Sequence, residues 1–202
     1  MPFDFESGKP NTYYDSRFQR EAVKLLPGEF FATTSDKMLV TVLGSCVSVC
    51  LRDSYSGIAG MNHFLLPTDT GNENNQWGSS ARYGMFAMEL LINEMLKLGS
   101  RKQNLTAKVF GGGNVLNTFS DSHVGARNVE FISDYLETEK MPVLATDLLG
   151  DYARKIYFIP ESGIVHMKKI RTLNNSTILD RESVYKMRLR ESDNTEDVDF
   201  FS

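Results

Sequence analysis

The sequence predicts an α/β fold, a layered sandwich of mostly antiparallel β-sheet with two main helices. Short apolar runs with period-two spacing and many β-branched residues recur from residue 29 to 66 and again from 142 to 170, as half-buried strands require. Two longer segments, 83–98 and 128–139, repeat their apolar residues at helical spacing instead. Strands outnumber helices, and the turn-rich stretch Asp53-Ser54-Tyr55-Ser56-Gly57 between two apolar runs reads as an antiparallel hairpin.

Taken in order, residues 1–27 are mixed and polar, with a helical-looking piece from Ser16 to Leu26, and read as an extension that docks loosely on the core. Strands follow at Glu29–Ala32, Met38–Leu43, Val47–Leu51 and Gly57–Leu66, the last ending at Pro67. The stretch Thr68–Ser80 is a Gly-, Asn- and Asp-rich loop that holds the single tryptophan, Trp77. A helix spans Tyr83–Leu98, with Phe86, Leu90, Leu91, Ile92, Met95 and Leu98 on its apolar side and Gly99 as a C-terminal cap. Lys108–Phe110 is a short strand running into Gly111-Gly112-Gly113-Asn114. A second amphipathic helix covers Asn128–Glu139, and Pro142–Leu148, Lys155–Ile159 and Ile164–Ile170 are three more strands. Apolar periodicity fades after Asn174, and the last twelve residues carry five carboxylates and no basic side chain. The core is therefore read as residues 28–174, with the extension at 1–27 and an acidic tail, expected to be disordered, at 175–202.

At 202 residues, with 41% hydrophobic and 24% charged, the chain can bury a sizeable core without staples. A net charge of −4 and dispersed basic residues argue against nucleic-acid binding. Neither a transmembrane stretch nor a signal-peptide pattern is visible, so a cytoplasmic protein without membrane insertion is expected. The two cysteines, Cys46 and Cys50, form no disulfide framework, and any interest in them lies in their chemistry.

Gly44-Ser45 breaks one strand and Cys46 opens the next. A broken ladder leaves backbone N–H groups near the sulfur, where they can lower its pKa and later hold an oxyanion. If the hairpin turns at Ser54 and Tyr55, Leu51 pairs with Ile58 and Cys46 falls opposite His63. A register shift of two would leave the pair diagonal on one face, and a shift of one would separate them. Blander readings compete: Cys46 as a small core residue, His63 as a satisfied buried imidazole, or Cys46, Cys50 and His63 as zinc ligands, for which no fourth ligand is evident. Cys50 is read as packing, His123 as solvated and His166 as structural. The Gly111–Asn114 run lacks the residues of a phosphate-binding loop, so a tight turn permitting close backbone approach is the better reading.

The segments Val42–Asp53, Gly60–Pro67, Ala81–Gly84, Lys108–Asn114, Gly125–Asn128 and Asp147–Lys155 together resemble the chemoreceptor glutamine deamidases (CheD), in order and across residues 28–172. The resemblance implies a cysteine amidohydrolase on a layered fold similar to the catalytic domain of toxins that deamidate small GTPases. It implies Cys46 as nucleophile, His63 as base and Thr41 as the third catalytic residue, with no metal or organic cofactor. It also implies a reaction converting glutamine side chains of methyl-accepting chemotaxis receptors to glutamate, with glutamyl methyl esters as a second substrate class. The partners it implies are the helical cytoplasmic bundles of those receptors and a CheC-type phosphatase, and a docking module is the alternative role. Leu149 and Ala153 depart from the resemblance, standing where glycine is common. Trp77 is expected to line the groove for a receptor helix.

Overall fold

The computed structural model describes residues 11–67, 79–115, 122–170, 182–185 and 187. Ten strands and two long helices follow in the order β1 (Asn11–Asp15), β2 (Arg20–Leu25), β3 (Phe30–Thr33), β4 (Met38–Leu43), β5 (Val47–Asp53), β6 (Ala59–Asn62), α1 (Ser79–Lys97), β7 (Leu105–Gly111), α2 (Ser122–Thr138), β8 (Val143–Leu148), β9 (Ala153–Ile159) and β10 (Ile164–Ile170). One sheet has the order β1-β2-β4-β9-β10 and the other β3-β6-β5-β7-β8. Pairing is antiparallel except at β2–β4 and β7–β8. The β7–β8 pair is parallel because α2 carries the chain back over the sheet, the connection that parallel neighbours need.

Strand alternation sorts the side chains into layers. Val47, Val49 and Leu51 of β5 face the helices and join Met88, Leu91, Met95, Ile132 and Leu136 in one apolar cluster. The opposite face of β5 contributes Cys50, and the residue just before the strand, Cys46, to a second cluster with Leu39 and Leu43 of β4, Met61, Leu65 and Phe158. That second cluster fills the space between the two sheets. The architecture is thus sheet, sheet, helices, the layered mostly antiparallel α/β sandwich expected.

Several elements differ from expectation. The piece expected to be helical within Ser16–Leu26 contains β2, whose Ala22, Val23 and Leu25 are buried. The parallel neighbour β4 fixes it as a strand through Val23↔Leu39 and Leu25↔Thr41, a non-local pairing that outweighs local periodicity. The boundary at residue 28 therefore cuts between two strands of the packed core, and residues 11–25 are integral to one sheet. Within the stretch expected to be a disordered tail, residues 182–185 are helical and Glu182 is buried. The long strand expected from Gly57 to Leu66 is interrupted at His63, whose backbone pairs with Gly28 and Glu29 instead. Helix α1 starts four residues early and α2 six residues early. Trp77, residues 1–10 and the acidic residues from 188 onward lie outside the described residues, as does the side chain of His123.

Candidate functional site

Thr41 is the middle of β4, and Leu39 and Leu43 on either side of it point between the sheets. By the same alternation Thr41 points there too, where it is wholly buried. His63 reaches the same layer from the other sheet and is 1% exposed. The two meet at 2.8 Å between Thr41 Oγ1 and His63 Nδ1. The Thr41 hydroxyl also donates to the Leu25 carbonyl at 2.9 Å. A hydroxyl has one proton, and a carbonyl can only accept. With its proton on Leu25, Thr41 Oγ1 must accept from Nδ1–H, which fixes the neutral tautomer with its lone pair on Nε2. That Nε2 makes no hydrogen bond among the described residues. Burial pulls His63 from 6.5 to about 4, against the opposing pull of the Glu182 carboxylate and the Leu25 backbone. The ring is therefore held neutral and able to take a proton.

Cys46 is wholly buried. The hairpin register is shifted by two from the simplest count, with Leu51↔Gly60 and a Val47↔Phe64 bridge. The turn is wider than two residues because Asp53 caps it, accepting from the N–H groups of Tyr55 and Ser56. Cys46 and His63 thus become diagonal neighbours on the intersheet face. Cys50 lies on that face as well, where burial drives its thiol well above the usual range, as suits a packing residue. Among the described residues no group of three or more His, Cys, Asp or Glu side chains is placed to hold a metal ion.

The backbone just before Cys46 forms a cradle of donors. The N–H groups of Gly44, Ser45 and Cys46 converge on the Glu182 carboxylate at 2.8, 3.2 and 3.4 Å, and the Ser45 hydroxyl donates to it at 2.7 Å. This loop is held from two sides. Gly112 N–H donates to the Cys46 carbonyl and Gly113 N–H to the Gly44 carbonyl, each at 2.8 Å. Gly111 permits that approach: its φ is 121° and a Cβ there would lie 2.1 Å from the Cys46 carbonyl oxygen, so the Gly111–Asn114 run is the close-approach turn expected. From the other side, Asn128 of α2 donates to the Ser45 carbonyl and accepts from Leu66 N–H, both at 2.9 Å. Asn128 thereby ties the cysteine loop to the chain just beyond His63.

The sequence gives no role to Glu182, and none to Asn128 beyond its place in the Gly125–Asn128 segment. Asn128 lies four residues before Ile132, a polar residue on the apolar stripe of α2, and that misfit was a readable signal. Glu182 has none, because it sits where periodicity has faded. His166 is exposed on β10, its ring 5.4 Å from that of Phe18.

A family described as CheD chemotactic sensory transduction matches residues 65–169. A relative from Shewanella oneidensis, "Probable chemoreceptor glutamine deamidase CheD 1", is 56% identical over 98% of this chain and 96% of its own length. A second of the same name, from Dechloromonas aromatica, is 52% identical over 95% of this chain and 94% of its own. The chain belongs to the CheD family. Among solved structures, the Bacillus licheniformis hypothetical protein YfiH matches with a TM-score of 0.40 and 13% identity, over 60% of this chain and 51% of that one. The two positions at which this CheD chain was expected to depart from its family are both structured. Ala153 is buried at the start of β9, while Leu149 holds a left-handed φ of 61°, a conformation that glycine adopts without strain.

Proposed function

We propose that this chain hydrolyses glutamine side-chain amides of chemoreceptors to glutamate, with Cys46 as nucleophile, His63 as general base and Thr41 as the residue that orients the imidazole. The observation that carries the reading is the Thr41–His63 hydrogen bond beside the cradle preceding Cys46. One contact sets the tautomer of the base, and the other supplies donors for an oxyanion.

His63 Nε2 takes the Cys46 proton, and the thiolate attacks the carboxamide carbon. The carbonyl oxygen becomes an oxyanion held by the Gly44–Cys46 N–H groups, preorganised donors in a dry site. The protonated imidazole passes its proton to the departing nitrogen, and ammonia leaves with the thioester formed. Water, deprotonated by His63 Nε2, then hydrolyses the thioester to glutamate and free thiol. The ring protonates only transiently. Its depressed pKa keeps it a base between steps, and Thr41 holds the Nδ1–H so that the imidazolium does not rotate. A glutamyl methyl ester fits the same acyl-enzyme path, with methanol leaving in place of ammonia.

The substrate is presented on the long helical bundles of receptor cytoplasmic regions, which places the activity in the cytoplasm. Among the described residues no helix is long and apolar enough to cross a membrane. A CheC-type phosphatase is a further partner under this reading, and the deamidase core spans residues 28–174 together with the strands that precede it.

Peptide mapping and intact mass of a receptor cytoplasmic fragment test the reading, since each deamidation adds about one dalton as nitrogen is exchanged for oxygen through the thioester. Gain with the unaltered protein and none with Cys46→Ala is the expected result. Equal effects of both proteins on the receptor, without a mass change, would leave a docking role instead.

A further inference from the structure

The Gly44–Ser45–Cys46 cradle is already filled, and its occupant is a glutamyl side chain of the same polypeptide. The Glu182 carboxylate accepts four hydrogen bonds there, three from backbone N–H groups and one from the Ser45 hydroxyl. Bonds of this kind to a carboxylate are the stronger class. Glu182 is only 3% exposed. A Cβ on Gly44 would lie 2.7 Å from its Oε1, so this carboxylate and the loop fit without spare room. Beside it remains a crevice of about 20 Å³, bounded by Pro27, Val42, His63 and Glu182, space for about one water. A receptor glutamine cannot reach the cradle until Glu182 leaves it.

Glu182 lies in helical backbone described over 182–185, whose Tyr185 packs against both apolar clusters. Residues three apart share a helix face, so the turn is pinned by an aromatic ring while its carboxylate enters the cradle. Burial in the first place, and the Cys46 sulfur in the second, push the Tyr185 hydroxyl well above its usual range, which puts that ring in the neighbourhood of the thiol.

We infer that the Gly44–Cys46 cradle is the seat for the substrate's side-chain amide, and that Glu182 occupies it as a built-in copy of the reaction product. This inference rests on the functional reading above and extends it. A glutamate side chain presented from a helical turn is what deamidation of a helical receptor leaves behind. The described segment 182–185 is therefore a competitor in cis. It shields the thiol and must be displaced by a receptor helix.

The inference makes an unusual demand on one isosteric variant. In Glu182→Gln the seated group becomes a carboxamide, a substrate held in place by the fold. Cys46 attacks its carbon, ammonia leaves, and water cleaves the thioester, restoring a carboxylate at position 182. Peptide mapping of purified Glu182→Gln is expected to show glutamate at 182, about one dalton heavier than encoded, at a rate independent of protein concentration because the step is unimolecular. The double variant Glu182→Gln with Cys46→Ala is expected to retain glutamine. Retention of glutamine at 182 in the Cys46 background overturns the inference. A receptor fragment in the same tube tells which idea has failed: its turnover leaves the functional reading standing, and its persistence removes both. Glu182→Ala supplies a second readout. A competitor that fills the seat about 90% of the time raises the apparent KM about tenfold, so its removal should lower KM by that factor with kcat unchanged. A KM that stays put in a Glu182→Ala protein shown to be folded by its urea unfolding transition overturns the inference.

Discussion

Thr41→Val is the most exacting test of the proposed base. The substitution keeps the shape and burial of the side chain and removes one oxygen. Two groups lose a partner, the Leu25 carbonyl at 2.9 Å and His63 Nδ1 at 2.8 Å. The second loss matters for chemistry. Without an acceptor, Nδ1–H has no reason to keep its proton, and the tautomer protonated on Nε2 cannot act as base toward Cys46. An unpartnered buried donor costs about 1–3 kcal/mol, and that bias toward the competent tautomer is what disappears. At about 1.4 kcal/mol per tenfold in rate, kcat should fall by about 5-fold to about 150-fold. KM for a receptor fragment should hold, because Thr41 is buried and faces the imidazole. Ammonia release under saturating fragment reads kcat, with a urea melt to confirm that the variant folds. Thr41→Ser keeps the hydroxyl and should recover activity to within about threefold, a rescue that separates hydrogen bonding from packing. A folded Thr41→Val enzyme within twofold of the unaltered kcat refutes the assignment of Thr41 as the orienting residue.

Three other outcomes are expected. Burial lowers His63 from 6.5 to about 4, so the unfolded chain binds more protons between those values; the contribution is complete above about pH 6.5 and is lost, about 3 kcal/mol of it, as pH falls toward 4. Urea unfolding at a series of pH values should show a shallower acid slope in His63→Gln, and identical slopes would contradict the origin assigned here. Asn128→Ala leaves the Ser45 carbonyl and Leu66 N–H without their side-chain partner, which should cost about 2 kcal/mol of stability and slow turnover as the cysteine loop loosens; a variant as stable and active as the parent would show the loop is held by the glycine turn alone. Leu149 adopts a left-handed φ of 61°, so Leu149→Gly should relieve strain of about 1 kcal/mol and raise the melting temperature by about 2–4 °C, with an unchanged or lower value counting against strain at that turn.

The sequence by itself determined most of what is local. Alternation placed Met38–Leu43 and Ile164–Ile170 as strands with their observed ends, because side chains on successive residues must point to opposite faces. The helical stripe of α1 was legible for the same reason at a different period. The Gly44-Ser45 break before Cys46 was readable as an interruption of the apolar alternation, and the glycine run at 111–113 because Gly111 and Gly112 hold positive φ, which few residue types tolerate. The placement of Cys46 and His63 on one face survived a two-residue error in register, since a shift of two preserves the face. What the sequence could not determine depends on partners distant along the chain. Arg20–Leu25 carries no clear strand signal and is a strand because β4 supplies its hydrogen bonds. Thr41 was named only through the family resemblance, since no local pattern marks it: it meets His63 when the two sheets close face to face, bringing residues 22 apart in sequence to 2.8 Å. Glu182 lies in a stretch whose composition reads as solvated, yet its carboxylate is buried on N–H groups more than 130 positions earlier. No local pattern encodes that contact, because the cradle that makes burial of a charge tolerable exists only after the strands around Cys46 have assembled.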